Sequence, residues 1–231
     1  MSVLASRLQV VEERLHAACR RAGRQRSEVT LVAVTKTVSS VVAAGLHRLG
    51  IVHLGESRPQ ELWRKAAALP SVRWHLIGHL QRNKIERTLP LVTLIHSVDS
   101  LRLLTALDEE AGRQQRPVTV LLEVNAGGEA AKGGFAPDEV PGLIGPIEAL
   151  CHVRVGGLMT MAAFTENPEQ CRPTFAALRG LRDRLKTEIK PPHSLEQLSM
   201  GMSNDFEIAV EEGATLVRLG TVLFEGLEEP A

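Results

Sequence analysis

Lys36 stands at the end of an apolar run, Leu31-Val32-Ala33-Val34, and just before Thr37-Val38-Ser39. An amine partly withdrawn from water loses some of its preference for the charged form and becomes a better nucleophile toward carbonyls. A Schiff-base lysine needs that property. A strand-end lysine with a solvated head fits the same residues, and this segment alone leaves both readings open.

A second group lies near the C-terminus. In Ser199-Met-Gly-Met-Ser-Asn-Asp205, Gly201 gives flexibility and Ser203 or Asn204 is placed to cap a helix. Glu207, three residues after Asn204, would complete a capping box. Arg218-Leu219-Gly220-Thr221 then ends an apolar run with a cation, a glycine that permits close backbone approach, and a hydroxyl. Amides at a helix start beside a Gly-Thr turn form an anion site. Taken singly, these residues read equally as an ordinary cap and a plain turn. With an amine opposite them, they suit a phosphorylated aldehyde.

Positioning such groups requires a sheet that brings the first and last strands together. Apolar runs recur at Thr30–Val34, Ile51–Leu54, Val72–Ile77, Leu91–Ile95, Val118–Val124, Val153–Leu158, Leu195–Leu198 and Thr215–Leu219. Between them lie helical patterns such as Ser40–Leu49, Pro59–Ala68, Leu101–Gly112 and Thr174–Lys186. Alternation of this kind implies parallel pairing through helical crossovers. Eight runs match an α/β fold, a single-domain (β/α)8 TIM barrel over 1–231, whose strand ends after the seventh and eighth strands commonly hold phosphate. An open doubly wound sheet is the rival, weakened because no GxGxxG turn follows the first strand. Leu4, Leu8, Val11, Leu15 and Ala18 predict an extra N-terminal helix, closed by Gly23, that packs on the barrel or joins a partner.

Composition bounds the function. The 231 residues are 44% hydrophobic, enough for one full core, and 27 basic side chains balance 27 acidic ones. Zero formal charge offers no basic surface for nucleic acid. No apolar run approaches the length of a membrane span, so no membrane association is expected. Cys19, Cys151 and Cys171 are widely spaced and lack a CxxC pair, which suits reduced thiols in the cytoplasm. His75 and His79 straddle Gly78 and make a poor metal pair, so no metal is expected. Asn125–Phe135 holds two double glycines around Lys132 without the order of a phosphate loop and reads as a lid. Trp63 and Trp74 read as packing, and Glu56 as a group that orients a loop or pairs with a cation.

The segments VAVTKTVS, HLGESRPQEL, WHLIGHLQRNK, IHSVDS, VNAGGEAAKGGF, GLMTMAAF and LSMGMSNDFEIAVEEGATLVRLGT resemble, in this order, the pyridoxal phosphate homeostasis protein family. The likeness runs from about Val29 to Gly226. It implies a barrel similar to the N-terminal domain of alanine racemases and pyridoxal 5′-phosphate (PLP) as cofactor, held as a Schiff base on Lys36. Arg218 would face the pyridine nitrogen, and Ser203, Gly220 and Thr221 would hold the phosphate. Lys132 matches a family lysine connected with cofactor exchange. Ser57 stands near the ring where the family usually has asparagine. The implied role is a carrier or buffer in PLP homeostasis without strong catalysis, working as a monomer or weak homodimer, with PLP-dependent apoenzymes as candidate recipients. The alternative is an amino-acid racemase or decarboxylase. Racemases pair such an arginine with a tyrosine base, and this sequence contains no tyrosine.

Overall fold

The computed structural model describes residues 2–129 and 133–227. Eight strands close into a barrel in sequence order. They are β1 (Thr30–Val34), β2 (His53–Glu56), β3 (Arg73–Leu76), β4 (Val92–Val98), β5 (Val118–Glu123), β6 (Val153–Met159), β7 (Gln197–Ser199) and β8 (Leu216–Leu219). Each pairs in parallel with the next, and β1 closes on β8 with Val32 opposite Arg218. The open sheet is thereby excluded.

The expected runs mark the strands, with two shifts that matter for the site. β2 starts two residues later than the apolar run and extends to Glu56, while β7 begins at Gln197 and ends on Ser199. In both cases pairing continues into polar residues that hydropathy leaves out. The α-helices among the described residues are α1 (Val3–Arg21), α2 (Ser40–Arg48), α3 (Pro59–Ala68), α4 (Ile85–Thr88), α5 (Leu101–Arg113), α6 (Ile144–Glu148), α7 (Arg172–Leu185), α8 (Phe206–Glu211) and α9 (Thr221–Phe224), and α1, α2, α3, α5 and α7 follow the apolar periodicity. A Schellman turn ends α1. Gly23 sits at φ 65°, and the Arg24 amide donates to the Cys19 carbonyl.

Strand side chains alternate between two faces. Val32, Leu94, Leu121, Met159 and Leu216 form a small cluster inside the barrel. The larger core lies between the strands and the helices around them. Gly157 lets β6 and β7 approach closely, since a Cβ there would lie 1.9 Å from the Gln197 carbonyl oxygen. α1 lies against α8 and α9. Arg14 stacks on Phe206 and pairs with Glu207, and Arg21 pairs with Glu211. The helix thus covers the last two helices of the wall.

Candidate functional site

Strand alternation builds the site at the C-terminal mouth. Thr35, directly after β1, is fully buried, whereas Lys36 is exposed. The Thr35 amide donates to the Gly55 carbonyl at 2.9 Å. Its hydroxyl donates to Glu56 Oε1 at 2.7 Å, and its carbonyl accepts from Lys65 Nζ at 2.6 Å. Lys65 also donates to Glu56 Oε1 at 2.5 Å, with both side chains almost wholly buried. The peptide leading into Lys36 is therefore clamped from outside the barrel, while its own amine bonds to no other described residue. Glu56 thus pairs with a cation, the second of its two expected roles.

Opposite the amine, Ser203 Oγ accepts from the amides of Gly220 and Val222, each at 3.2 Å. The sequence offers Ser203 or Asn204 as the cap of the helix that follows, and neither caps it. Instead the loop winds on to Asp205, whose carboxylate receives the Met202 amide at 2.6 Å, and α8 begins at Phe206. Asn204 turns outward to donate to the Thr165 carbonyl, and Glu207 pairs with Arg14, so no capping box forms. The Ser203 hydroxyl converges instead on the start of α9, whose first residue is the exposed Thr221. This cluster adjoins the lysine: a Cβ on Gly220 would sit 3.4 Å from the carbonyl oxygen of Val34, two residues before Lys36.

Arg218, two residues before Gly220, lies buried on β8. It donates to Ser199 Oγ at 2.6 Å and to the Thr160 carbonyl at 2.9 Å. Burial pushes its guanidinium down to about 10, against the pull of Asp205 and Glu123, so it stays a cation at neutral pH. Burial likewise raises Glu123, helped by Asp99, and raises Asp205. Lys36, Ser203, Arg218, Gly220 and Thr221 are thus brought together on β1 and β8 and on the loops after β7 and β8. Ser57 stands at the neighbouring β2 mouth, half-buried, with its backbone against Gly78 and its hydroxyl bonded to none of the other five. Lys132 lies outside the described residues.

Sequence reasoning missed a polar file inside the barrel. His53 Nδ1 lies 2.8 Å from His75 Nε2, and His75 Nδ1 lies 2.8 Å from His96 Nε2. His96 Nδ1 in turn lies 2.8 Å from Ser199 Oγ, the group that receives Arg218. Their intervals of 22 and 21 residues follow the strand–helix repeat, the one signal that could have revealed them. Burial drives the rings neutral, His75 down to about 3 and His96 well below the usual range. Among the described residues, no group of His, Cys, Asp and Glu could hold a metal ion. Trp63 and Trp74 serve packing, donating to Thr88 Oγ1 and to the Leu69 carbonyl.

Residues 7–228 match the alanine racemase N-terminal domain family. A pyridoxal phosphate homeostasis protein of Aquifex aeolicus is 44% identical over 220 residues, covering 94% of this chain and 96% of that one. The chain belongs to the pyridoxal phosphate homeostasis protein family. The structure of PipY from Synechococcus elongatus, solved with PLP bound, superposes with TM-score 0.82 at 33% identity over 96% of this chain and 99% of that one. A crystal structure of an unknown protein from Bifidobacterium adolescentis reaches TM-score 0.91 at 35% identity, covering 96% and 94%. No helix among the described residues is long and apolar enough to cross a membrane.

Within this family the donor set fits a ligand with three distinct ends. The Ser203 hydroxyl, accepting from two amides and keeping its own proton to give, suits an anion, the buried guanidinium suits a neutral acceptor, and the exposed amine suits a carbonyl carbon. Thr160 Oγ1, buried without a partner among the described residues beside the carbonyl that Arg218 reaches, leaves one more polar group for a ligand or water to satisfy.

Proposed function

We propose that this chain binds PLP and serves in PLP homeostasis as a carrier or buffer, with little turnover of amino acids. The observation that carries this reading is the accessible Lys36 amine set beside the Ser203–Gly220 cluster, with Arg218 buried on the adjoining β8. PLP brings a carbonyl carbon that condenses reversibly with an amine, a phosphate, and a pyridine nitrogen. Lys36 supplies the amine. Ser203, Gly220 and Thr221 hold the phosphate through hydroxyl and backbone donors, and Ser57 borders the ring.

Arg218 explains the muted chemistry. A guanidinium carries donors only. It can give a hydrogen bond to the ring nitrogen but cannot share a proton placed there, so it withholds the strong electron sink that an acidic partner provides. Residues 1–231 act as one domain in this reading, as a monomer or weak homodimer in the cytoplasm, with PLP-dependent apoenzymes as recipients. One observation favours an amino-acid racemase or decarboxylase as second reading: exposed His79 is oriented by Asp99 at 2.9 Å and could serve as a base. Exchange of an amino acid's α-hydrogen with deuterated solvent, lost in Lys36→Ala, would promote that reading.

The decisive experiment is borohydride reduction after incubation with PLP, followed by peptide mass analysis. A reduced adduct on Lys36, absent from a folded Lys36→Ala variant, is expected. Absence of any near-visible band, or an adduct confined to other lysines, would overturn the proposal.

A further inference from the structure

The histidine file has a direction, and Arg218 sets it. A guanidinium can only donate, so Ser199 Oγ accepts from Arg218 and keeps one proton of its own to give. The other partner of that hydroxyl among the described residues is His96 Nδ1, which must then be the bare nitrogen. A neutral imidazole carries one donor and one acceptor. His96 therefore donates through Nε2 to His75 Nδ1, and His75 donates through Nε2 to His53 Nδ1. All three rings become the Nε2–H tautomer. The opposite polarity would make Ser199 accept twice and leave its hydroxyl proton unpaired at a fully buried position.

We propose that Ser199 and His96, backed by His75 and His53, are positioning residues for Arg218: a file of single polarity that holds the guanidinium plane and leaves its remaining N–H groups for the bound ligand's ring. The file spans β2, β3, β4 and β7 and ends at half-buried His53. The ligand-facing part of this inference rests on the PLP reading above. The polarity of the file does not.

Histidine-selective ¹⁵N NMR of the ligand-free protein at neutral pH tests the polarity directly. His53, His75 and His96 should each show a bare Nδ1 and a protonated Nε2. In Ser199→Ala, His96 loses the donor that fixes it and should no longer report a single Nε2–H tautomer. Added PLP should then bind about tenfold more weakly, as loss of one well-placed hydrogen bond implies, and its absorption band should shift. Ser199→Thr, which keeps the hydroxyl, should restore both. His53→Gln offers an amide oxygen to His75 Nε2–H and should leave His75 and His96 as in wild type, so the test survives if Ser199→Ala does not fold. A wild-type His75 or His96 that is Nδ1–H or doubly protonated would overturn the proposal, as would an unchanged His96 in Ser199→Ala. Correct tautomers with no PLP band at all would instead defeat the PLP reading and leave the file standing.

Discussion

Strand β2 sends polar side chains to opposite sides of the barrel wall, and the two regions solve the same problem differently. Inside, His53, His75 and His96 lie in line toward Arg218, and burial keeps the rings uncharged. Outside, Glu56 and Lys65 meet at 2.5 Å in a contact almost wholly shielded from water. Neutral hydrogen-bonded groups carry only a modest burial cost, whereas each member of an ion pair depends on its partner to offset desolvation. The inner region should therefore answer to acid, and the outer one to mutation. Both serve the site. The outer pair fixes the carbonyl before Lys36, and the inner file fixes Arg218.

The sharpest break is Lys65→Met. It leaves the Glu56 carboxylate buried without its cation, with Oε2 already unpartnered among the described residues. Loss of one member of a buried pair costs about 3–5 kcal/mol, measurable by urea denaturation. The double variant Lys65→Met/Glu56→Gln should recover most of that loss, because the stranded charge is gone. A single-variant loss no larger than that of a surface pair would show that the outer region is not held by charge.

Acid should break the inner region instead. The folded proteins' rings titrate below the ordinary histidine value of 6.5, so the unfolded chain binds protons that the native state refuses. The stability they contribute is complete above pH 6.5 and is lost as pH falls toward about 3 for His75. At pH 5 the loss is about 2 kcal/mol for His75, and His96 acts in the same direction. Glu123 and Asp205, raised by burial, act in the opposite sense, because the native state takes up their protons more readily than the unfolded chain. The net fall should set in as pH drops from 6.5 to 5. Denaturation midpoints across that range check it, and His75→Gln should flatten the slope. An unchanged midpoint would mean that the rings are not held neutral.

The contrast also marks what could be read in the sequence. Eight apolar runs predicted the closed barrel, and the amine after Leu31–Val34 singled out Lys36, because both signals are local. Lys65 was hidden inside an amphipathic helix pattern. Its partner Glu56 is nine residues away and reachable only once β2 extends past the apolar run. The histidines were seen singly, since neighbouring strands must be in register before intervals of 22 and 21 residues become contacts. The cap offered by Ser203 or Asn204 fails for the same reason. Capping rules look forward along the chain, whereas the Ser203 hydroxyl reaches amides 17 and 19 residues on, brought close by β8.

Ser203→Ala provides the smallest expected effect and calibrates the other two. The serine is only half-buried, so water can replace its oxygen at the Gly220 and Val222 amides. Loss of a cap of this kind costs about 1 kcal/mol, or a fall of about 2–4 °C in Tm for a domain of this size. PLP retention should weaken more than stability, because the same amides would have to hold the phosphate without the hydroxyl. Ser203→Thr, which keeps an acceptor oxygen, should restore both. If Ser203→Ala instead destabilised the fold as severely as Lys65→Met, burial would not be what separates strong from weak polar contacts here, and the contrast between the two sides of β2 would lose its physical basis.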